Sequence, residues 1–178
     1  DALPIFNFAI QGSHAAILGA GGSARAVAYA LGSTGAKRVG LWNRTPERAE
    51  AIARDMSALF PQTRYEAHRL PEDLHLIGEA TRLIINCTPV GMWPHADACP
   101  WPEDLPFPRR CLVMDLIYRP EETRLLARAR EAGCTTLNGI SMLVHQGAAS
   151  FRRWTGTEPS TEVMTRALLA ALRRSARA

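Results

Sequence analysis

The sequence predicts an α/β protein: a doubly wound fold with a parallel six-stranded sheet and C-terminal helices. Three observations carry this expectation. Short apolar runs suited to buried strands recur along the chain, among them HAAILG at 14–19, RLIINC at 82–87 and CLVMD at 111–115. Segments with helical composition and spacing lie between them and end at Gly or Pro. The first of the runs leads directly into Gly19-Ala20-Gly21-Gly22-Ser23-Ala24. Strands alternating with helices at this spacing pair in parallel, because each helix carries the chain back across the sheet. Right-handed crossovers then predict the strand order 3-2-1-4-5-6.

Taken in order, 14–19 is the first strand and 25–34 the first helix, stopped by Gly35. The second strand covers 38–42. Thr45 is then a natural N-cap and Pro46 suits a first helical turn, so a helix is expected from there to about Leu59. A third strand is read at 63–68, a short helical turn within 70–80 and the fourth strand at 82–87. The segment from Pro89 to Pro108 is dense in proline and glycine and reads as a long loop, and its part from Met92 to Pro108 is expected to be mobile when no ligand is bound. Strand five (111–115), a helix (121–132) closed by Gly133 and strand six (135–137) follow. Two helices, 140–154 and 160–174, finish the chain.

The chain has 178 residues, 47% of them hydrophobic, which suits one domain with a sizeable core. No apolar run is long enough to span a bilayer. The start of the chain, Asp1 to Phe6, lacks the basic and apolar regions of a signal peptide. Cys87, Cys99, Cys111 and Cys134 are widely spaced with no C-x-x-C pair, so neither a metal site nor a disulfide framework is expected. A reducing cytoplasm is the default location. The net charge of +4 is spread out apart from an Arg-rich end, with no basic stripe interleaved with aromatics. That argues against a nucleic-acid partner.

The glycine string is the most informative motif. It matches G-x-G-x-x-G/A between a strand and a helix, the setting in which such a loop holds a dinucleotide. Gly19 permits the tight turn, Gly21 lets backbone approach a pyrophosphate, and Ala24 lets the helix lie close to the strand. Ala20, Gly22 and Ser23 complete the cradle, and the positive end of the helix faces the diphosphate. Cofactor choice falls at the end of the second strand, where an NAD-binding domain carries an acid for the ribose 2′-OH. Here Asn43-Arg44-Thr45 stands instead, with Arg48 one turn further on. Guanidinium groups bind a 2′-phosphate that a carboxylate would repel, so the fold is read as a Rossmann domain for NADP.

Five blocks extend this reading: GAGGSARA, NRTPERA, NCTPVGM, DLIYRPEETRLL and NGISMLVHQGAASFRRWTG. Together they resemble the shikimate dehydrogenase family over His14 to Gly156. The first two blocks also occur in glutamyl-tRNA reductases and related NADP domains, whereas the last two are more distinctive. The resemblance implies NADP-linked interconversion of shikimate and 3-dehydroshikimate, an oxidoreductase step toward chorismate and the aromatic amino acids. It implies that Asn43, Arg44, Thr45 and Arg48 hold the adenosine phosphate end. It sets Cys87, Thr88 and Val90 along the nicotinamide ribose, Leu116 and Gly139 at the nicotinamide half, and Met142 and Leu143 packing near the ring. Tyr118 and Gln146 match positions that reach the hydroxylated ring of the substrate. In a doubly wound sheet the ligand lies beyond the carboxyl ends of the strands, which agrees in part: Thr88, Tyr118 and Gly139 follow strands four, five and six, on the same rim as the glycine loop.

Members of the family carry a substrate domain ahead of the nucleotide domain, and it supplies a proton-handling lysine. The sequence has one lysine, Lys37, placed before the second strand at the far end of the sheet. Residues 1–12 are read as a linker or the remnant of an inter-domain helix, 13–156 as the NADP domain and 157–178 as a helix packing back on it. The substrate domain is expected to be absent from this chain. Asp1 is a candidate for the family's catalytic aspartate, His145 is read as structural or solvated, and no catalytic residue is assigned. The isolated chain is expected to bind NADP and to turn over shikimate poorly or not at all. Alternatives are a quinate/shikimate dehydrogenase and a non-catalytic NADP-binding module, and a homodimer is left open.

Overall fold

The computed structural model describes residues 9–175. Asp1 and most of the expected linker therefore lie outside the described residues. The elements run β1 (His14–Leu18), α1 (Gly22–Ser33), β2 (Arg38–Asn43), α2 (Pro46–Leu59), β3 (Arg64–Arg69), β4 (Thr81–Asn86), β5 (Leu112–Asp115), α3 (Arg124–Glu131), β6 (Thr135–Leu137), α4 (Ile140–Thr155) and α5 (Thr161–Ser175). All six strands pair in parallel, in the order β3-β2-β1-β4-β5-β6. The expected topology is the observed one.

Each face of the sheet carries its own apolar layer. On one face Ile17, Val39, Leu41, Leu83 and Ile85 pack under α1 and α2, against Ala24, Ala28, Leu31, Ile52 and Met56. On the other, Ala16, Leu18, Trp42, Ile84 and Val113 meet Leu125, Leu126 and Ala129 of α3. Strand side chains alternate between faces, so a strand buried on both reads as a continuous apolar run. That is why β1, β4 and β5 were visible in the sequence.

Three local differences have physical causes. α1 begins at Gly22, inside the glycine string, because that string turns directly into the helix. Thr45 occupies the N-cap of α2 with extended backbone, but its hydroxyl makes no capping bond. α3 begins at Arg124 because Thr123 caps it, accepting the Leu126 amide at 3.4 Å. The second half of the proline-rich segment is tied to the sheet and to α3 by side-chain contacts. Trp101 is fully buried in the second apolar layer and stacks on Phe107 at 4.7 Å. Its indole donates to the Leu105 carbonyl at 2.9 Å, and the Arg128 guanidinium donates to the carbonyls of Trp101 (2.6 Å) and Pro102 (2.8 Å). The segment thus covers the sheet beside α3.

α5 runs against α4, where Gly147 leaves room for Met164. Among the described residues, no helix is long and apolar enough to cross a membrane.

Close packing between α1 and β3 yields one test of the fold. The buried Tyr65 hydroxyl donates to the Ala28 carbonyl at 2.9 Å, and burial pushes its pKa up to about 12, so it remains a donor. A Cβ on Gly32 would lie 2.2 Å from that hydroxyl oxygen and 2.5 Å from the Phe60 ring. Gly32→Ala is therefore expected to cost about 1–3 kcal/mol of stability through overpacking, against the small gain usual for Gly→Ala in a helix. Denaturant unfolding checks this, and an unchanged or raised midpoint would contradict the packing described.

Candidate functional site

The site begins where the sheet order reverses, between β1 and β4. The Cys87 amide donates to the Leu18 carbonyl at 2.8 Å, and the Gly19 amide to the Trp42 carbonyl at 2.7 Å, so three strand ends converge on Gly19. Its φ of +107° suits glycine, and a Cβ there would sit 3.1 Å from the Cys87 backbone. The first bond of α1 runs from the Arg25 amide to the Gly21 carbonyl at 3.0 Å, and Gly21 offers no side-chain cap. The amides of Gly22, Ser23 and Ala24 are left without helical partners. A Cβ on Gly21 or Gly22 would meet nothing within 4 Å. The turn is thus tight on its Gly19 side and open on the other, and Ala24 is buried beneath it. An anionic group fits such a cradle, because the helix end presents unpaired donors and positive potential.

The open side continues into a groove of about 350 Å³ between α1 and α2, lined by Ala20, Gly21, Gly22, Arg25, Arg48, Ala51 and Ile52. Arg25 is held at its margin by an ion pair with Asp55 at 2.7 Å. At the end of β2, Asn43 donates its side-chain amide to the Thr45 carbonyl at 2.8 Å and holds the turn into α2. Arg44, Thr45 and Arg48 are arrayed around that turn, and neither arginine has an ion-pair partner among the described residues. Glycine cradle and Arg48 therefore line one groove, with Arg44 on the turn that leads into α2. Arg25 was not singled out from the sequence. Its place on the first turn of the helix after the glycine string was the available signal.

The other expected residues fall along the carboxyl ends of β4, β5 and β6. Cys87, Leu116 and Met142 are partly buried and pack on the same apolar layer as α1 and α2. Burial, with the charge of Asp115 adding to it, pushes the Cys87 thiol up to about 12, so it stays a neutral wall residue. Thr88 is half-buried, and its hydroxyl accepts the Val90 amide at 3.2 Å. Gly139 is buried at the N-cap of α4, and its amide donates to the Ile117 carbonyl at 3.0 Å. Leu143 is half-buried on α4, whereas Tyr118 is exposed just beyond β5. His145 and Gln146 follow on α4. Lys37 is exposed just before β2, at the opposite end of the sheet.

Sequence reasoning missed the polar cluster beneath this rim. Asn86, Asp115 and Thr123 are all buried, and Asn86 and Thr123 both donate to the Asp115 carboxylate. Among the described residues no cluster of three His, Cys, Asp or Glu is placed to hold a metal ion.

The sheet order and the glycine turn at its reversal point define a Rossmann domain. A family model described as Shikimate / quinate 5-dehydrogenase matches residues 2–89, and one described as Shikimate 5'-dehydrogenase C-terminal domain matches 139–169. The chain is 43% identical to the shikimate dehydrogenase (NADP(+)) of Symbiobacterium thermophilum over 164 residues, 92% of this chain and 56% of that protein. Among solved structures it is similar to the Thermus thermophilus shikimate 5-dehydrogenase in complex with NADP(H) and shikimate. There the identity is 40% and the TM-score 0.77, covering 97% of this chain and 59% of that one. It is also similar to the ligand-free 5-ketofructose reductase of a Gluconobacter species, at 33% identity and TM-score 0.81, covering 96% and 60% of the two chains. The chain belongs to the shikimate dehydrogenase family. It spans about 56% of the length of the Symbiobacterium relative.

Proposed function

We propose that the chain is the NADP-binding part of a shikimate dehydrogenase that interconverts shikimate and 3-dehydroshikimate. The observation that carries this reading is the groove lined by Ala20, Gly21, Gly22 and Arg48, with Arg44 on the adjoining turn between β2 and α2 and no carboxylate at the end of β2. In this reading the amides of Gly22, Ser23 and Ala24 take the diphosphate, and Arg44 and Arg48 take the 2′-phosphate with help from Asn43 and Thr45. The other half of the dinucleotide then extends past Cys87, Thr88 and Val90 toward Leu116, Gly139, Met142 and Leu143. Bound NADP supplies the hydride chemistry. Tyr118 and Gln146 offer a phenol and an amide to the hydroxyl groups of the substrate. A reducing cytoplasm suits the four free thiols.

The reaction also moves a proton, and the rim carries no lysine, since Lys37 lies at the other end of the sheet. The chain's contribution is thus cofactor grip and part of the substrate contact. Calorimetric titration with NADP and NAD tests the grip, followed by turnover assays with shikimate, quinate and 5-ketofructose. The expected result is NADP preferred over NAD by at least about tenfold, with shikimate the best substrate if turnover is seen. Equal affinity for the two dinucleotides would overturn the cofactor reading. Turnover of quinate or 5-ketofructose in preference to shikimate would overturn the substrate reading.

A further inference from the structure

Polar side chains buried in a strand end need partners, and at the ends of β4 and β5 they find each other. Asn86 and Asp115 are cross-strand neighbours in the parallel register, and neither is accessible to solvent. The Asn86 side-chain amide donates to Asp115 Oδ1 at 3.1 Å, and the Ile117 amide donates to the same oxygen at 3.0 Å. Asp115 Oδ2 accepts the Thr123 hydroxyl at 2.7 Å. Asn86 Oδ1 accepts both the Thr88 amide (3.0 Å) and the Thr88 hydroxyl (2.7 Å). The chain of bonds continues outward, because the Thr88 hydroxyl accepts from the Val90 amide.

One carboxylate, directly and through the Asn86 side chain, thus ties four pieces of backbone: the end of β4, the turn through Thr88 and Val90, the turn through Ile117 before Tyr118, and the start of α3. We propose that Asp115 is a positioning residue that fixes the Thr88 turn and the Tyr118 turn relative to each other. The rim that receives the nicotinamide half of the dinucleotide is thereby preformed. This inference rests on the NADP reading above and says which residue, itself out of reach of the ligand, makes that half of the site.

The arrangement is more than ordinary satisfaction of a buried polar group. Burial pushes the Asp115 carboxyl above the usual carboxylate range, while its three donors pull it back. A neutral amide in its place could not accept all three bonds with the same geometry, and at least one donor would be left facing an NH₂ group. Apolar residues at Asn86 and Asp115 would fill the core without holding either turn. A two-part readout separates positioning from bulk stability. Adenosine 2′,5′-bisphosphate reports only the cradle and arginine end of the groove, on the β1–β2 side, whereas NADP also spans the β4–β5 rim.

The experiment is titration of both ligands into the full chain and into Asp115→Asn. NADP affinity is expected to fall by about tenfold, the order of one mispaired buried donor, with adenosine 2′,5′-bisphosphate affinity unchanged. If Asp115→Asn does not fold, Thr123→Val and Thr123→Ser take its place. The valine variant is expected to show the same split, and the serine variant, which keeps the hydroxyl, to restore NADP affinity. Equal weakening of both ligands, or no change in NADP affinity, would overturn the inference while leaving the cofactor reading intact. Failure of the unsubstituted chain to bind NADP would overturn both.

Discussion

Replacing Arg44 and Arg48 together by alanine is expected to weaken NADP binding by about two decades or more, while NAD binding changes by less than about threefold. Neither side chain has an ion-pair partner among the described residues, so their removal leaves the fold intact. A hydrogen bond to a charged group contributes roughly 1.5–3 kcal/mol, or about one to two decades. Exposure to solvent favours the lower end of that range for each arginine. The loss falls on NADP because the two cofactors differ only in the 2′-phosphate, the group that the proposed function assigns to Arg44 and Arg48. Lysine at both positions restores charge without the planar paired donors, so the double lysine variant should recover only part of the preference. Raising ionic strength should narrow the gap in the unsubstituted chain and leave the double alanine variant almost unaffected. Equal losses for NADP and NAD in calorimetry would remove the basis for discrimination.

The parts of this molecule that were legible in its sequence are those set by local chemistry. Continuous apolar runs marked β1, β4 and β5, since a strand covered on both faces has no polar alternation. The glycine string was readable because strand, turn and helix follow one another without interruption, and Arg44 and Arg48 because they sit at a fixed distance beyond it. What was not legible depends on contacts between distant positions. Asn86 and Asp115 are 29 residues apart, and each looks like an ordinary polar residue closing a strand. Their shared meaning appears only when β4 and β5 pair in register. One signal was available, a polar residue ending each of two consecutive apolar strands. Trp101 was hidden for a related reason. A proline-dense segment reads as exposed loop, yet this one supplies a fully buried indole to the second apolar layer.

Gly139 shows how resemblance and packing can point to one residue for different reasons. The resemblance implied a role for it at the nicotinamide half, and the structure shows that it lies against the backbone leaving β5. A Cβ there would lie 2.0 Å from the Leu116 carbonyl oxygen, 2.4 Å from its carbon and 3.0 Å from the Ile117 carbonyl carbon. All three atoms are backbone, so no side chain can swing aside. Its φ of −75° is ordinary, so the demand for glycine here is steric and not conformational. Gly139→Ala is therefore expected to cost about 3 kcal/mol or more in stability, at the upper end for overpacking. NADP affinity should fall with it, because relieving the clash separates Leu116 from α4 and opens the rim. Gly21→Ala should show the reverse pattern. Its methyl meets no protein atom within 4 Å and points into open space beside the groove. Stability should change by no more than about 0.5 kcal/mol, while NADP affinity falls by at least about tenfold through overlap with the bound diphosphate. Urea unfolding and NADP titration on both variants measure the two quantities. A Gly139→Ala chain as stable as the original would mean that the β5 and α4 ends are not in contact as described. A Gly21→Ala chain with full NADP affinity would mean that the cradle does not hold the diphosphate.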